Sequence, residues 1–209
     1  SISNDLIENL EKINHHGERA SDIVKNMLEH SRQGDGTKEL VDINKLADEY
    51  LRLAYHGIRA HDKSFNADFK LALDEGLPKI NVVPQDMGRV LLNLINNAFH
   101  ACAEQRKRAS ADRSVSTYQP LVTVSTKWNG NNVEIMVSDN GPGIPDDIKD
   151  KIFQPFFTTK ATGEGTGLGL SLSYDIITKG HAGELRIESS EKTGASFTIV
   201  LPIQAKSRS

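Results

Sequence analysis

The stretch VEIMVSDNGPGIP, residues 133–145, runs from a strand pattern directly into a glycine-rich loop. Apolar and polar residues alternate before Asp139, which is the period of a half-buried β-strand. Asp139 therefore projects from a strand end, and Gly141 and Gly143 allow the loop backbone to approach a flat ligand. A carboxylate there can accept a hydrogen bond from an exocyclic amine. The pentapeptide DNGPG is also typical of an ordinary turn, so this stretch alone leaves both interpretations open.

Upstream, a predicted helix carries three polar side chains along one edge. The stretch RVLLNLINNAFHA, residues 89–101, places Asn93 and Asn97 four residues apart, with His100 three residues further on. Asn is a mediocre helix former, and two of them at this spacing among Leu and Ile require hydrogen-bond partners. The edge is either a ligand-facing surface or the place where the helix meets solvent.

Downstream, a second glycine-rich segment precedes another predicted helix. In KATGEGTGLGLSLSYDII, residues 160–177, glycine occupies alternate positions, namely Gly163, Gly165, Gly167 and Gly169. Backbone amides in such a loop and at a helix N-terminus bind phosphate oxygens. No Gly-Lys-Ser/Thr follows, and the strand and spacing of a dinucleotide fingerprint are missing, so both of those nucleotide folds are disfavoured. The glycine density also favours a mobile lid over a triphosphate.

The segment between the two glycine-rich stretches, IFQPFFTTK, combines aromatic and polar residues. Its aromatic residues are predicted to pack as a hydrophobic plug under the lid: Phe153, Phe156 and Phe157. The polar residues that follow are expected to reach the phosphates: Thr158, Thr159 and Lys160.

Strand and helix patterns intermix along the rest of the chain. Strands are predicted over residues 39–44, 65–73, 121–127, 133–138, 183–188 and 195–201. Helices are predicted over residues 44–60, 85–108 and 168–179, with a short helix after residue 145 and a polar surface loop over 106–119. Hairpin connections imply an antiparallel or mixed sheet with helices on one face. The predicted fold class is α+β, a two-layer α/β sandwich preceded by one long N-terminal helix.

That N-terminal helix is predicted over residues 2–32 and ends at the glycines of SRQGDG. Its apolar or small residues recur at alternating steps of four and three: Leu6, Leu10, Ile13, Gly17, Ala20, Val24 and Met27. This is the seam of a coiled coil or helical bundle, and it requires a second helix, a second chain or both to cover it.

Composition restricts the function classes. The 209 residues carry a formal net charge of −3 without a basic stripe, so a nucleic-acid partner is not expected. No run of about 18 apolar residues is present, and the first residues lack a signal-peptide pattern, so this segment is expected to make no membrane contact. The single cysteine, Cys102, is predicted to be a buried thiol, which fits a cytoplasmic setting and leaves a membrane anchor elsewhere in a parent protein open.

Taken in their order along the chain, these four motifs resemble the GHKL ATP-binding superfamily, and within it the catalytic domain of sensor histidine kinases. NLINNA resembles the N box, DNGPGIP the G1 box, IFQPFFTTK the F box and GEGTGLGLSL the G2 box. The resemblance covers about residues 38–203, and residues 17–32 resemble the second helix of a kinase dimerisation bundle. The predicted domains are therefore a partial dimerisation and phosphoacceptor helix at 1–36 and an ATP-binding catalytic domain at 37–209.

The resemblance implies a Bergerat-type site for ATP and Mg²⁺. Asn97 would be the magnesium ligand, Asn93 and His100 would make phosphate-side contacts, and Asp139 would accept from the adenine amine. The remaining nucleotide contacts would be Gly141, Gly143, Ile144, Thr159, Lys160, Gly163, Gly165, Thr166, Gly167, Leu168, Gly169 and Leu170.

The residue four positions before the expected metal ligand distinguishes kinases from hydrolases of this superfamily. Hydrolases of the superfamily characteristically carry a glutamate base four residues before the magnesium-binding asparagine, where this chain has Asn93. An amide cannot take a proton from water, so transfer to another nucleophile is favoured over hydrolysis. The alternatives are a catalytically silent ATP sensor and, less favoured, a GHKL-type ATPase.

The resemblance also implies the partners. The phosphate would pass to a histidine of the dimerisation bundle, in a homodimer of the parent protein, and then to an aspartate of a response-regulator receiver domain. His15 and His16 lack the acceptor pattern, so the acceptor is expected before residue 1 and the chain is expected not to phosphorylate itself.

Overall fold

A computed structural model describes residues 36–111, 118–160, 165–190 and 193–203. The strands are β1 (Glu39–Val41), β2 (Asp68–Ala72), β3 (Ile80–Val82), β4 (Leu121–Trp128), β5 (Asn132–Asp139), β6 (Glu184–Ser190) and β7 (Gly194–Pro202). The helices are α1 (Ile43–His61), α2 (Pro84–Ala111), α3 (Asp146–Lys149) and α4 (Gly169–Asp175), which continues as a π-helix over Ile176–Gly180. The helix predicted over residues 2–32 and the candidate Gly163 lie outside these ranges.

Five strands form a mixed sheet in the order β2-β4-β5-β7-β6. Strand β2 pairs parallel to β4, and every other neighbour in the sheet pairs antiparallel. Strands β1 and β3 form a separate antiparallel pair. Each of the central strands buries alternate residues and leaves those between them more accessible, as expected for a sheet with one face covered. The predicted two-layer α+β class is confirmed.

Helix α2 supplies the centre of the core. The helical period predicts a buried stripe of six residues: Val90, Leu91, Leu94, Ile95, Ala98 and Ala101. The first five are fully or nearly fully buried, whereas Ala101 is only half-buried. They pack with the inward residues of the sheet, which include Val124, Ile135 and Ile199. Cys102 is also buried, as predicted. Because α2 lies on the sheet along its whole apolar stripe, its polar edge is held in a fixed position at the rim of that layer.

The strand predicted over 65–73 is shorter, Asp68–Ala72, and three other differences from the predictions have a local cause. The strand predicted through residue 44 ends at Val41, because Asp42 caps α1 by accepting from the Lys45 N–H. Strand β3 was not predicted, since three residues are too few to show a period. The helix predicted to end at residue 108 continues to Ala111, into residues predicted as loop: the polar residues there are good helix formers, and an i,i+4 ion pair joins Glu104 and Arg108.

The end of the last helix is tied to the start of α2. His181 is buried, its Nε2 accepts from the Val83 N–H at 3.1 Å, and its Nδ1 lies 3.0 Å from the Ile176 carbonyl oxygen. The neutral ring with its proton on Nδ1 satisfies both contacts.

Of the helices in the described part of the chain, none combines the length and apolarity needed to cross a membrane.

A buried hydroxyl links α1, β4 and the turn after β2, which gives a first testable prediction. Thr126 Oγ1 donates to Asn44 Oδ1 at 2.7 Å and accepts from the Asp74 N–H at 3.0 Å. Replacing Thr126 with Val keeps the shape but removes both bonds, so we expect a loss of about 1–3 kcal/mol in the free energy of unfolding by urea. Thr123→Val, on the other face of the same strand, is the control and should change it by less than about 0.5 kcal/mol. Equal losses in the two variants would contradict this assignment.

Candidate functional site

Asp139 ends β5 with its carboxylate half-buried. Its Oδ1 accepts from the Gly141 N–H at 2.8 Å. Burial raises the pKa of Asp139 to about 6, although hydrogen bonds from the Gly141 and Ala195 amides favour the ionised form. The site thus holds a carboxylate in a poorly hydrated place, where a polar ligand group that donates a hydrogen bond would satisfy it.

Two glycines around Asp139 allow a backbone approach that no other residue permits. A Cβ on Gly141 would lie 2.8 Å from Asp139 Oδ1 and 2.9 Å from Ala101 Cβ on α2. A Cβ on Gly194, at the start of β7, would lie 1.9 Å from the Asp139 carbonyl oxygen, and Gly194 has a φ of +90°. Sequence reasoning missed Gly194, whose only local signal is a glycine at a strand start. Gly143 has a φ of +76°, as a turn glycine of this loop requires.

The polar edge of α2 connects the two glycine-rich segments. Asn93, Asn97 and Ala101 follow at steps of four and lie on one face of the helix. At one end, Asn93 Nδ2 donates to the Gly169 carbonyl oxygen at 3.3 Å and to Ser173 Oγ at 3.4 Å. At the other end, Ala101 contacts Gly141. Asn97 is half-buried between them, and His100 is exposed at the rim.

The base of the second glycine-rich segment is closed by a backbone contact. The Phe156 N–H donates to the Gly167 carbonyl oxygen at 2.9 Å, and a Cβ on Gly167 would lie 2.4 Å from the Phe156 carbonyl carbon. Both residues have positive φ, +67° and +68°. The predicted aromatic plug is confirmed for Phe153 and Phe157, which pack against the core, but it is wrong for Phe156, whose side chain is 58% exposed. Phe156 contributes its backbone, and its turn conformation points the ring outward.

The remaining candidate residues lie in or beside the two glycine-rich segments, residues 133–145 and 160–177. A Cβ on Gly165 would lie 2.9 Å from Thr158 Oγ1 and 3.2 Å from Lys160 Cδ, so these three residues are together, while Thr159 is exposed beside them. Thr166 Oγ1 accepts from the Leu168 N–H at 3.4 Å. Two candidates are packing residues as well, since Ile144 and Leu170 contact the core.

These residue types suit a magnesium nucleotide. The amide oxygen of Asn97 is the hard, uncharged oxygen ligand that Mg²⁺ accepts alongside phosphate oxygens and water. Gly141 lets the loop backbone pack closely against Asp139 and Ala101, where a Cβ would clash. The start of α4 contacts Asn93, one helical turn before Asn97.

Comparison with known proteins identifies the class. A family model described as histidine kinase-, DNA gyrase B- and HSP90-like ATPase matches residues 82–205. The chain belongs to this family.

Relatives and solved structures narrow the comparison. The chain is 32% identical over 184 residues to the sensor protein FixL of Bradyrhizobium diazoefficiens, across 88% of this chain and 33% of that protein. It is 36% identical over 182 residues to the histidine-protein kinase AtoS of Escherichia coli, across 87% of this chain and 26% of that protein. The chain therefore spans a third or less of the length of these two relatives.

Among solved structures, the catalytic domain of histidine kinase ThkA is similar with a TM-score of 0.63 and 28% identity, over 80% of this chain and 99% of that domain. Histidine kinase ThkA in complex with the response regulator TrrA is similar with a TM-score of 0.67 and 26% identity, over 94% of this chain and 51% of that chain.

Proposed function

We propose that the chain is the ATP-binding catalytic region of a protein histidine kinase, with the kinase domain over 37–209 and a bundle helix before it. It binds Mg-ATP and transfers the γ-phosphoryl group to a histidine of a dimerisation bundle. The observation that carries this proposal is the polar edge of α2, which reaches the Asp139 loop through Ala101 and the second glycine-rich segment through Asn93. One ligand that has a base at one end and phosphates at the other spans such a site.

Each end of the site has its own role in this proposal. Asp139 accepts from the adenine amine, and Gly141 and Gly143 let the ring lie against the loop backbone. Asn97 holds Mg²⁺, which would neutralise phosphate charge when bound. The residues expected on the phosphate side are His100, Thr159, Lys160 and the segment from Gly163 through Leu170.

Phosphoryl transfer is favoured over hydrolysis by the environment of Asn93. An amide cannot act as a general base, and here its Nδ2 already contacts Gly169 and Ser173 on α4. In the transfer, the bond from the γ-phosphorus to the β–γ bridging oxygen breaks, and a phosphorus–nitrogen bond to the imidazole forms. ADP leaves, and the imidazole proton passes to solvent.

The partners follow from the same class. The similarity to ThkA in its complex with TrrA supports a response-regulator receiver domain as the next phosphate acceptor. We also propose a homodimer through the helical bundle in the parent protein, and a cytoplasmic location for this region.

Phosphate transfer to a supplied acceptor tests the proposal. The full chain is incubated with Mg²⁺ and γ-labelled ATP, with and without a separately purified histidine-kinase bundle that carries its acceptor histidine. We expect acid-labile label on the bundle and none on the chain, and Asn97→Ala should lower the rate by about 100-fold or more because a charge-neutralising contact is lost. Gln85→Ala, an exposed amide at the start of α2, is the control and should keep the rate.

Three outcomes would contradict the proposal. Release of free phosphate without label on the bundle would indicate a hydrolase. ATP binding without any turnover would indicate a silent sensor. Stable acid-labile label on the chain alone would show that the acceptor lies within it.

A further inference from the structure

A hydrogen-bonded cluster surrounds Asn140, the residue after Asp139. None of its residues is among those proposed to contact ATP or Mg²⁺. At its centre, Asn140 Oδ1 accepts from the Tyr118 hydroxyl at 2.9 Å and from the Leu121 N–H at 2.8 Å. Its Nδ2 donates to the Gln119 carbonyl oxygen at 2.8 Å. Cys102 Sγ on α2 lies 3.5 Å from the same Oδ1. We call these residues, Cys102, Tyr118, Gln119, Asn140 and Leu121, the Asn140 cluster.

The chemistry of the cluster fixes the orientation of the Asn140 amide. Two backbone groups of fixed role settle this: the Leu121 N–H faces the amide oxygen and the Gln119 carbonyl faces the amide nitrogen, so a reversed amide would oppose like groups at both contacts. Burial raises the pKa of both the Tyr118 hydroxyl and the Cys102 thiol, so both keep their protons and remain donors near neutral pH. A side chain that accepts on one atom and donates on the other is required, and an aspartate would place a negative charge against the Gln119 carbonyl.

The cluster controls the backbone on the loop side of Asp139. Asp139 is the last residue of β5, and it pairs with Val122 of β4. One residue further, the Asn140 N–H donates to the Leu121 carbonyl oxygen at 3.2 Å, and the side chain returns to the Leu121 N–H. The backbone is therefore fixed at Asp139 by pairing with β4 and at Asn140 by its two hydrogen bonds to Leu121. The Gly141 N–H, which follows directly, donates to the Asp139 carboxylate and sets its direction.

We propose that Asn140 and Tyr118 are positioning residues that set the base selectivity of the site by fixing the direction of the Asp139 carboxylate. This rests on the proposed ATP-binding function. Adenine presents an amino group at the position where guanine presents a carbonyl oxygen. A fixed carboxylate accepts from the amino group and opposes the carbonyl oxygen, whereas a carboxylate that can rotate accepts less well from the amino group and discriminates less between the two bases.

The test is Tyr118→Phe in the full chain, which removes one hydroxyl from the cluster and leaves the ring. Dissociation constants for Mg-ATP and Mg-GTP are measured by competition against a fluorescent ATP analogue at pH 8. We expect ATP affinity to fall by about 5- to 20-fold, the size of one hydrogen bond in a polar network, with GTP affinity within about twofold of wild type. The ATP-to-GTP selectivity ratio, which a general loss of stability would not change, should fall by the same factor.

The matched control is Tyr55→Phe. Its hydroxyl also donates to an asparagine, Asn66 Oδ1, at 3.4 Å, but neither residue belongs to the Asn140 cluster. This substitution should leave the ratio unchanged. Asn140→Ser is the second variant and should lower the ratio further; if it does not fold, Tyr118→Phe still decides. A ratio that stays at the wild-type value in Tyr118→Phe, or ATP and GTP affinities that fall together, would overturn the positioning role while leaving ATP binding intact. A wild-type chain that binds both nucleotides equally would also overturn the selectivity role, whereas one that does not bind Mg-ATP would contradict the proposed function.

Discussion

Asp139→Asn should weaken ATP binding by about 100-fold or more and, at the same time, make the nucleotide-free protein more stable at pH 8. The loss of affinity follows because an ionised acceptor in a poorly hydrated site makes the stronger hydrogen bond to an amine, and the amide that replaces it also offers a donor to that amine. The gain in stability follows from the burial of the same group, which is unfavourable until a ligand donates to it. Function and stability therefore change in opposite directions at one residue.

The sign of the stability effect follows from the pKa. Burial raises the pKa of Asp139 from 3.8 to about 6, so folding favours the protonated form. The stabilisation from that proton is complete below about pH 4 and is lost as the pH rises through 6. At pH 8 the wild-type protein carries an ionised buried carboxylate that the variant lacks, while the amide oxygen of the substituted side chain can still accept from the Gly141 N–H.

Urea unfolding measures this difference. A shift of this size in a half-buried group is worth about 1–2 kcal/mol, so Asp139→Asn should exceed wild type by that amount at pH 8 and approach it near pH 4. Wild-type ATP affinity should also fall as the pH drops below 6. The control is Asp150→Asn, an exposed carboxylate, which should change neither quantity. A variant that is less stable than wild type at pH 8 would contradict the buried-charge explanation.

The sequence-derived predictions succeeded where the signal is local. Alternation of residues predicted β4 and β5, and the helical period predicted the buried stripe of α2. The step of four between Asn93 and Asn97 correctly put both on one face. The strand-to-glycine transition placed Asp139 at a strand end with Gly141 beside it.

The predictions failed, or were silent, where the signal is tertiary. Nothing local to Phe156 shows that its backbone contacts Gly167, so the sequence predicts that its ring packs in the hydrophobic plug. The pairing of Asn140 with Tyr118 joins residues that are separated by 22 positions and two strands. Gly194 contacts Asp139 across the paired strands β5 and β7, and a glycine at the start of a strand gives no indication of what lies opposite. Such contacts depend on strand order, which the hairpin pattern leaves partly open.

Gly194→Ala should therefore be among the most destabilising substitutions in the chain. Its new Cβ would lie 1.9 Å from the Asp139 carbonyl oxygen and 2.9 Å from the Asn140 Cα, and both are backbone atoms that cannot rotate away. Relief requires β7 to move from the end of β5. That movement would also disturb Ser189, whose hydroxyl donates to the Gly194 carbonyl oxygen at 3.0 Å and accepts from the Ile144 N–H at 2.7 Å.

A second glycine separates this steric effect from backbone strain. Gly130 has the same φ of +90°, but a Cβ there would meet nothing within 4 Å. Gly130→Ala should cost only the strain of a positive φ, about 1 kcal/mol. Gly194→Ala should cost more than about 4 kcal/mol by urea unfolding, and any folded fraction should bind ATP weakly because the Asp139 and Ile144 loop is displaced. Similar unfolding free energies for the two variants would show that β7 can move away from β5 at little cost. The close approach of Gly194 to the Asp139 carbonyl oxygen would then not be what positions Asp139.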